Sequence, residues 1–300
     1  MKISVPIVNA FIDGERGGNA AGVVLNAQSF SNEQKLAIAA QIGLSETAFV
    51  SPSQSADFKL EFFTPTRQIA HCGHATVATF SYLNQQGLLT SAETSKETID
   101  GRREIFMDGD MAYMEQLAPR YTQLAENELS ALSESLGLAP ECFNGDSTDS
   151  STQSCLEKPC VVNTGNAFII VELNTIDELE SLIPDTDKII QISENFDLIG
   201  YYVFCRATVQ SGRDASTRMF APRYGINEES ATGMAAGPLA CYLYHKIGIR
   251  KESYQFEQGY LMTPQSPSVL RVNLVVENGE ISSLMAGGKA VVTETRNIII

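Results

Sequence analysis

Two stretches of the sequence decide the fold: residues 63–76, which read FTPTRQIAHCGHAT, and residues 220–237, which read FAPRYGINEESATGMAAG. Each begins with Phe-X-Pro, passes through an irregular segment and reaches a glycine followed by small residues, and an apolar segment with helical spacing comes next. The repetition predicts two related halves. In each half Gly73 or Gly233 would begin a helix whose free N–H groups and positive dipole end favour an anion. Two such helix ends facing one cleft would hold a small anion.

The composition fits two ordinary domains. A length of 300 residues exceeds the usual size of one core, and 43% hydrophobic residues can fill two cores. With 36 acidic and 21 basic residues the formal charge is −15, which disfavours nucleic acid and anionic membranes as partners. Residues 1–10 read as a first strand and not as a signal peptide, and no run reaches the roughly 18 apolar residues of a membrane span. The sequence therefore predicts a soluble protein, and the sparse cysteines, six in 300 residues, predict that it is cytoplasmic.

The cysteines do not predict a disulfide scaffold or a metal centre. Six cysteines in 300 residues are too sparse for such a scaffold. Cys155 and Cys160 could form half of a zinc site, but no second pair of Cys or His lies near them in sequence. Residues 145–154 are small and polar throughout and are expected to form a surface loop.

Strand-like alternation and helical periodicity together indicate an α+β fold. Helices are expected at residues 32–42, 126–136 and 176–182 and after Gly73 and Gly233. The last two are apolar on every side, which predicts that each lies inside a strongly curved sheet. The first domain is expected to span residues 1–118, completed by 285–300, and the second residues 119–284. Strands are predicted at residues 3–11, 21–25, 46–50, 58–63, 161–171, 201–207, 269–276 and 290–293.

Five short motifs in this order resemble the phenazine-biosynthesis isomerase (PhzF-like) family, which has the diaminopimelate epimerase-like fold. They are GNAAGVVL at residues 18–25, LSETAFV at 44–50, FFTP at 62–65, CGHAT at 72–76, and RMFAP at 218–222 continuing to ATGMAAGPL at 231–239. The resemblance implies two pseudo-symmetric domains, each a curved β-barrel around a central helix. It also implies a cleft between them, no metal or organic cofactor, and frequently a homodimer.

The resemblance assigns the catalytic roles to three residues. Glu46 corresponds to the general acid/base, in the apolar setting of Thr47, Ala48 and Phe49. His74 corresponds to a histidine of the family's pocket, where it would contact the substrate or orient Glu46. Glu229 corresponds to the acidic residue facing the substrate, with one more methylene than the usual aspartate. Each residue also has a structural alternative. Glu46 could be a surface glutamate at a turn, His74 a helix-start histidine in solvent, and Glu228 and Glu229 a solvated acidic pair in a loop.

The remaining expected site residues flank the two glycines. Gly73 and Gly233 would offer backbone N–H groups to the substrate carboxylate, although each alone could be a turn glycine before a helix. Met234 stands where phenazine-pathway members commonly have serine, so one hydroxyl donor is missing. This departure counts against the pathway's own substrate, trans-2,3-dihydro-3-hydroxyanthranilate. Cys72 and Thr232 occupy equivalent positions before the two glycines, and His71 and His245 are expected to be peripheral.

The resemblance predicts an isomerase that moves a proton on a small carboxylated substrate. One alternative is a cofactor-independent amino-acid racemase or epimerase, which in this fold uses two facing thiols. Cys72 matches the first thiol, but Thr232 takes the place of the second, and a threonine hydroxyl is far too weak an acid to replace it. Another alternative is a metabolite-binding protein without turnover.

Overall fold

A computed structural model of the protein describes residues 2–139, 142–143 and 157–300. The predicted loop at 145–154 and Cys155 lie outside these residues. The chain divides into two compact units, Met1–Glu115 with Gly287–Ile300, and Gln116–Ala286. The first unit contains β1 (Lys2–Ala10), β2 (Asn19–Val24), α1 (Asn32–Ile42), β3 (Glu46–Pro52), β4 (Phe58–Phe63), β5 (Gln68–Ile69), α2 (Gly73–Gln85), β6 (Glu93–Thr98), β7 (Gly101–Asp108) and most of β8 (Met111–Leu117).

After its first strand and helix, the second unit repeats the order of elements of the first unit, except that two helices stand in the place of α1. It contains β9 (Arg120–Gln123), α3 (Glu126–Ser135), β10 (Cys160–Asn163), β11 (Ala167–Leu173), α4 (Ile176–Glu180), α5 (Thr186–Asn195), β12 (Gly200–Cys205), β13 (Ala215–Ala221), β14 (Ile226–Glu229), α6 (Gly233–Tyr242), β15 (Ser253–Gln258), β16 (Ser268–Glu277) and the start of β17 (Glu280–Ile299). The rest of β17 belongs to the first unit.

The strands of the first unit close on themselves. β1 pairs antiparallel with β2, β2 parallel with β3, β3 antiparallel with β4, and β4 parallel with β6. β6, β7 and β8 follow as antiparallel neighbours, and β17 pairs with both β8 and β1. These eight strands form a closed barrel, and α2 packs against β1, β2 and β3.

The second unit repeats this pattern of pairings. β10 pairs antiparallel with β11, β11 parallel with β12, β12 antiparallel with β13, β13 parallel with β15, and β15 antiparallel with β16. β14 adds to β13 as β5 adds to β4, and α6 packs against β10, β11 and β16. The predicted α+β fold with two pseudo-symmetric halves is thereby confirmed.

The two central helices are built from small and apolar residues because they are enclosed by strands. The first eight residues of α2 are all buried, and in α6 only Met234 is partly exposed. The outer helix α1 has the opposite character, with a capping box from Ser31 to Gln34 and a left-handed Gly43 at its end. In the described part of the chain, every helix is too short or too polar to cross a bilayer.

Two local predictions differ from the structure. The single strand predicted at residues 161–171 is a hairpin of β10 and β11, because Gly165 adopts φ 109° in a turn where the Asn163 side chain accepts its N–H at 2.8 Å. The helix predicted at 176–182 ends at Glu180, and α5 was not predicted although Asp185 caps it by accepting the N–H of Lys188.

Candidate active site

Glu46 is the first residue of β3, an inner strand that pairs with β2 and β4. Its backbone lies opposite Ala21 of β2, and only 5% of the residue is exposed. The neighbouring residues of β3 are buried as well, up to Ser51. The glutamate therefore sits at the end of a rigid, apolar strand and not on a surface turn.

The first turn of α2 supplies the other groups of this site. Cys72 is the N-cap residue in an extended conformation, with φ −149° and ψ 123°, and no side chain caps this helix end by a hydrogen bond. Gly73 and His74 are the first two helical residues, and all three are buried. This end of α2 has the backbone arrangement that favours an anion.

The imidazole of His74 lies between a carboxyl group and a thiol. Its Nε2 is 3.3 Å from Oε2 of Glu46, and its Nδ1 is 3.5 Å from Sγ of Cys72. Burial raises the pKa of the Cys72 thiol, an effect that the nearby His74 opposes. The thiol is therefore protonated at neutral pH, and the glutamate–histidine pair is the better candidate for proton transfer.

The same three side chains form the one group of potential metal ligands found among the described residues. One donor atom from each of Glu46, Cys72 and His74 lies within 4.8 Å of the other two. These donor types are compatible with zinc, so the set could hold such an ion. The predicted absence of a metal stays a prediction.

A polar network surrounds the start of α6 in the second unit. The hydroxyl of Thr232, the N-cap residue, donates to the carboxylate of Glu229, and the Thr232 N–H donates to Oε1 of Gln258 at 3.2 Å. Nε2 of Gln258 donates to the Glu229 carbonyl at 2.6 Å, and Oε1 accepts from the Tyr202 hydroxyl at 3.0 Å. Glu229 and Thr232 are thus held by side chains that the sequence reasoning missed.

The neighbouring acidic residues Glu228 and Glu229 have different hydrogen-bond partners. Glu228 accepts two bonds from Arg218, at 2.8 and 2.9 Å, whereas Glu229 bonds to Thr232 beside Gly233. Glu228 therefore has a structural ion pair, and Glu229 is the acid at the helix start.

Gly233 and Met234 begin α6. The Gly233 carbonyl accepts from Nε2 of Gln116 at 2.9 Å, which fixes the first turn. The Met234 sulfur lies 3.6 Å from Nδ2 of Asn166, and its side chain is partly exposed. The structure therefore groups the predicted residues into two sets, one in each unit: Glu46, Cys72, Gly73 and His74, and Glu229, Thr232, Gly233 and Met234.

The first unit is a closed barrel packed on an apolar helix, and the second unit repeats its strand pairings around another apolar helix; this arrangement is the diaminopimelate epimerase-like class of fold. A crystal structure of a phenazine biosynthesis protein of the PhzF family from Bacillus anthracis matches with a TM-score of 0.86 and 25% identity, covering 100% of both chains. The family profile described as phenazine biosynthesis-like protein matches residues 8–296. The chain therefore belongs to the phenazine biosynthesis-like (PhzC–PhzF) family.

Two curated relatives are similar over most of their length. The uncharacterized isomerase YfhB of Bacillus subtilis is 29% identical over 294 residues, which is 96% of this chain and 95% of the relative. The trans-2,3-dihydro-3-hydroxyanthranilate isomerase of Pseudomonas fluorescens is 28% identical over 244 residues, 79% of this chain and 78% of that protein. Both are named isomerases, so isomerase activity is supported at the level of the family.

Proposed function

We propose that the protein is a cofactor-independent isomerase that moves a proton on a small carboxylated substrate, with Glu46 as general acid/base. The observation that supports this most is the buried contact between Glu46 and His74, at 3.3 Å. A carboxyl group on a rigid strand, beside an imidazole and largely shielded from water, is suited to proton transfer. The family's named isomerases support the reaction class.

The proposed reaction is a two-step transfer. The Glu46 carboxylate removes a proton from one carbon of the substrate, and the electron pair that is left shifts into the adjacent unsaturated system. The Glu46 carboxylic acid then returns a proton to a second carbon, so that no atom is gained or lost. His74, whose Nε2 lies 3.3 Å from Oε2 of Glu46, holds the carboxyl group towards the reacting carbons.

The substrate's own carboxylate would bind at helix N-termini. Gly73 and Gly233 begin buried helices, and Cβ atoms are absent where the backbone N–H groups would meet an anion. Such a site needs no basic side chain, which suits a chain with a formal charge of −15. We propose that Glu229 and Thr232 orient polar groups of the substrate, while Met234 offers an apolar contact.

The test is proton NMR in D₂O with a panel of candidate substrates. The first compound is trans-2,3-dihydro-3-hydroxyanthranilate, the substrate in the name of the Pseudomonas fluorescens relative, and the panel adds diaminopimelate, proline and hydroxyproline. We expect conversion or deuterium incorporation with one compound, abolished in Glu46→Gln. Loss of activity in His74→Gln with full activity in His245→Gln would support the role of the buried imidazole. A compound turned over equally by Glu46→Gln would refute the proposal.

The contact between Cys72 and His74 favours a racemase as the second candidate. A thiol 3.5 Å from an imidazole nitrogen can lose its proton to that nitrogen when a substrate binds. The N-cap position of α6 holds Thr232, which is hydrogen-bonded to Glu229, so a second thiol is lacking there. Exchange at an amino-acid α-carbon that depends on Cys72 would support the racemase, and binding without exchange would indicate a metabolite-binding protein.

A further inference from the structure

Lys96 is a fully buried cation close to the candidate active site. It lies in β6, where its backbone is opposite Phe58 of β4 and Arg103 of β7, and its exposed fraction is 0%. Lysine is almost never buried completely unless it has a partner of opposite charge. The other buried lysine of this unit, Lys35, follows that rule, because it pairs with Glu61.

The ammonium of Lys96 contacts neutral groups. Its Nζ donates to Oγ1 of Thr76 at 2.6 Å, lies 3.4 Å from Nδ1 of His71, and stands 5.3 Å from the centre of the Phe62 ring. A lysine has three N–H donors, and these three neighbours can each receive one. Within the described part of the chain, no carboxylate forms an ion pair with Lys96.

His71 is suited to accept one of these bonds. Burial lowers its pKa well below the usual range, and the charges of Lys96 and Arg103 lower it further. The imidazole is therefore neutral at physiological pH, and its Nδ1 can accept a hydrogen bond from Lys96. His71 was expected to be peripheral. These contacts suggest otherwise, because His71 directly precedes Cys72 in the chain and lies within hydrogen-bond distance of the buried Lys96.

The contacts of Lys96 lead directly to the first turn of α2. Thr76, which accepts from Lys96, donates its hydroxyl to the Cys72 carbonyl at 2.6 Å, and its N–H reaches the same carbonyl at 3.3 Å. His71 lies on the other side of Cys72 in the chain. Lys96 therefore contacts one residue before the segment from Cys72 to His74 and one residue after it.

We propose that Lys96 is a positioning residue whose ammonium, through Thr76 and His71, fixes the turn of Cys72, Gly73 and His74 and so directs His74 towards Glu46. This inference rests on the proposed function for the link to turnover, although the positioning itself can be measured without any substrate. In the proposed reaction Lys96 touches neither Glu46 nor the substrate.

The protonation of Lys96 gives the proposal a distinctive pH dependence. Burial is the main cause that lowers the pKa of Lys96, to about 7; Arg103 lowers it further, while Cys72 and Asp100 oppose the shift. The titratable and charged neighbours that affect the pKa of Lys96 are therefore Arg103, Cys72, Asp100 and His71. As the pH rises above about 7, the amine loses one of its three donors. The hold on the turn then weakens, and turnover is expected to fall.

The experiment uses histidine labelled with ¹³C at Cε1, since the protein has three histidines and gives a spectrum of three resonances. His71→Gln and His245→Gln assign them. Lys96→Met keeps the length and apolar stem of the side chain but removes the charge, and Lys59→Met on β4 is the matched control at a partly exposed lysine of the same barrel. Circular dichroism first verifies that each variant is folded.

We expect four changes in Lys96→Met and none in Lys59→Met. The His71 resonance shifts, the His74 resonance shifts, and kcat on the converted compound falls about tenfold or more with little change in KM, because a displaced turn misplaces the reacting groups. The fall of kcat above about pH 7 also disappears. Unchanged His71 and His74 resonances, together with an unchanged pH profile, would overturn the proposal.

Two further arms keep the outcome interpretable. If Lys96→Met does not fold, Thr76→Val removes only the hydroxyl between Lys96 and the Cys72 carbonyl; it should shift the His74 resonance, and an unshifted resonance would refute the positioning role. If the wild type converts no compound, the proposed function fails, while the histidine resonances still decide whether Lys96 positions the turn.

Discussion

Nε2 of His74 lies 3.3 Å from Oε2 of Glu46, and the two side chains are only 3% and 7% exposed. His74 belongs to the first turn of α2 and Glu46 is the first residue of β3, a strand of the closed barrel against which α2 packs. Elements held on all sides keep reacting groups in place better than loops do. The two side chains are therefore held close together by the fold itself.

Replacing Cys72 with Ala is expected to leave proton transfer within about tenfold of the wild-type rate. Burial raises the pKa of this thiol, so it is protonated at neutral pH and does not act as a base. The measurement is kcat/KM for the compound that the wild type converts, with Cys205→Ala on β12 as the control for loss of a buried thiol. A loss as large as that of Glu46→Gln would assign the base to Cys72.

Lys96 should make the free energy of unfolding rise with pH. Its pKa is about 7 in the folded protein and about 10.5 in the unfolded chain. Between these values the unfolded chain binds more protons, so stability increases with pH by up to about 1.4 kcal/mol per pH unit. Below about pH 7 both states are protonated and this contribution is constant.

Urea unfolding at pH 6, 7, 8 and 9 measures this effect as the difference between wild type and Lys96→Met. The difference isolates Lys96, because the other titrating groups are present in both proteins. We expect the wild type to gain stability relative to the variant only above about pH 7. A difference that is flat over the whole range would show that Lys96 has an ordinary pKa.

Thr232→Val should weaken substrate use without unfolding the second unit. The valine keeps the shape of threonine but cannot donate to Glu229, so the carboxylate loses a partner that holds it beside Gly233. Loss of a hydrogen bond to a charged group costs about 1.5–3 kcal/mol, which corresponds to a decrease in kcat/KM of roughly tenfold to a hundredfold. The control is Thr208→Val, because the Thr208 hydroxyl donates to the Gln210 carbonyl in an exposed turn. Equal kcat/KM in the two variants would exclude a role for the network.

Gly237→Ala tests the packing that fixes the start of α6. A Cβ at this position would lie 2.1 Å from Oε1 of Gln116, the side chain that also donates to the Gly233 carbonyl. We expect the added methyl to destabilise the protein by about 1–3 kcal/mol. In a Gln116→Ala background the same change should cost less, because only the contact with Cδ1 of Leu284, at 2.7 Å, remains. Additive thermal shifts of the two substitutions would contradict this account.

Much of the fold could be predicted because the sequence contains the same pattern in both halves. The repeated Phe-X-Pro and glycine-to-helix pattern identified both halves, and the apolar character of the two central segments indicated enclosure by a curved sheet. The bounds of α1 were predicted correctly from its periodicity alone. The hairpin at Gly165 was missed, because a continuous apolar run from residue 161 to 171 does not reveal a turn of three residues.

The candidate site was less predictable where contacts are distant in sequence. Glu46 and His74 could be named from their motifs, but the distance between their side chains depends on the parallel pairing of β2 and β3 and on the packing of α2. Lys96 gave no signal, because β6 reads Glu-Thr-Ser-Lys-Glu-Thr and resembles an exposed strand. Its burial follows from the closure of the barrel, which no local pattern specifies.

The most direct test of the central claim compares wild type with Glu46→Gln in D₂O, using the compound that the wild type converts and following the reaction by proton NMR. Glu104→Gln, an exposed glutamate of β7, is the matched control. We predict that Glu46→Gln slows conversion by a factor on the order of 10²–10⁴ with an unchanged circular dichroism spectrum, while Glu104→Gln is as active as the wild type. Conversion by Glu46→Gln at the wild-type rate would contradict the assignment of Glu46 as the general acid/base.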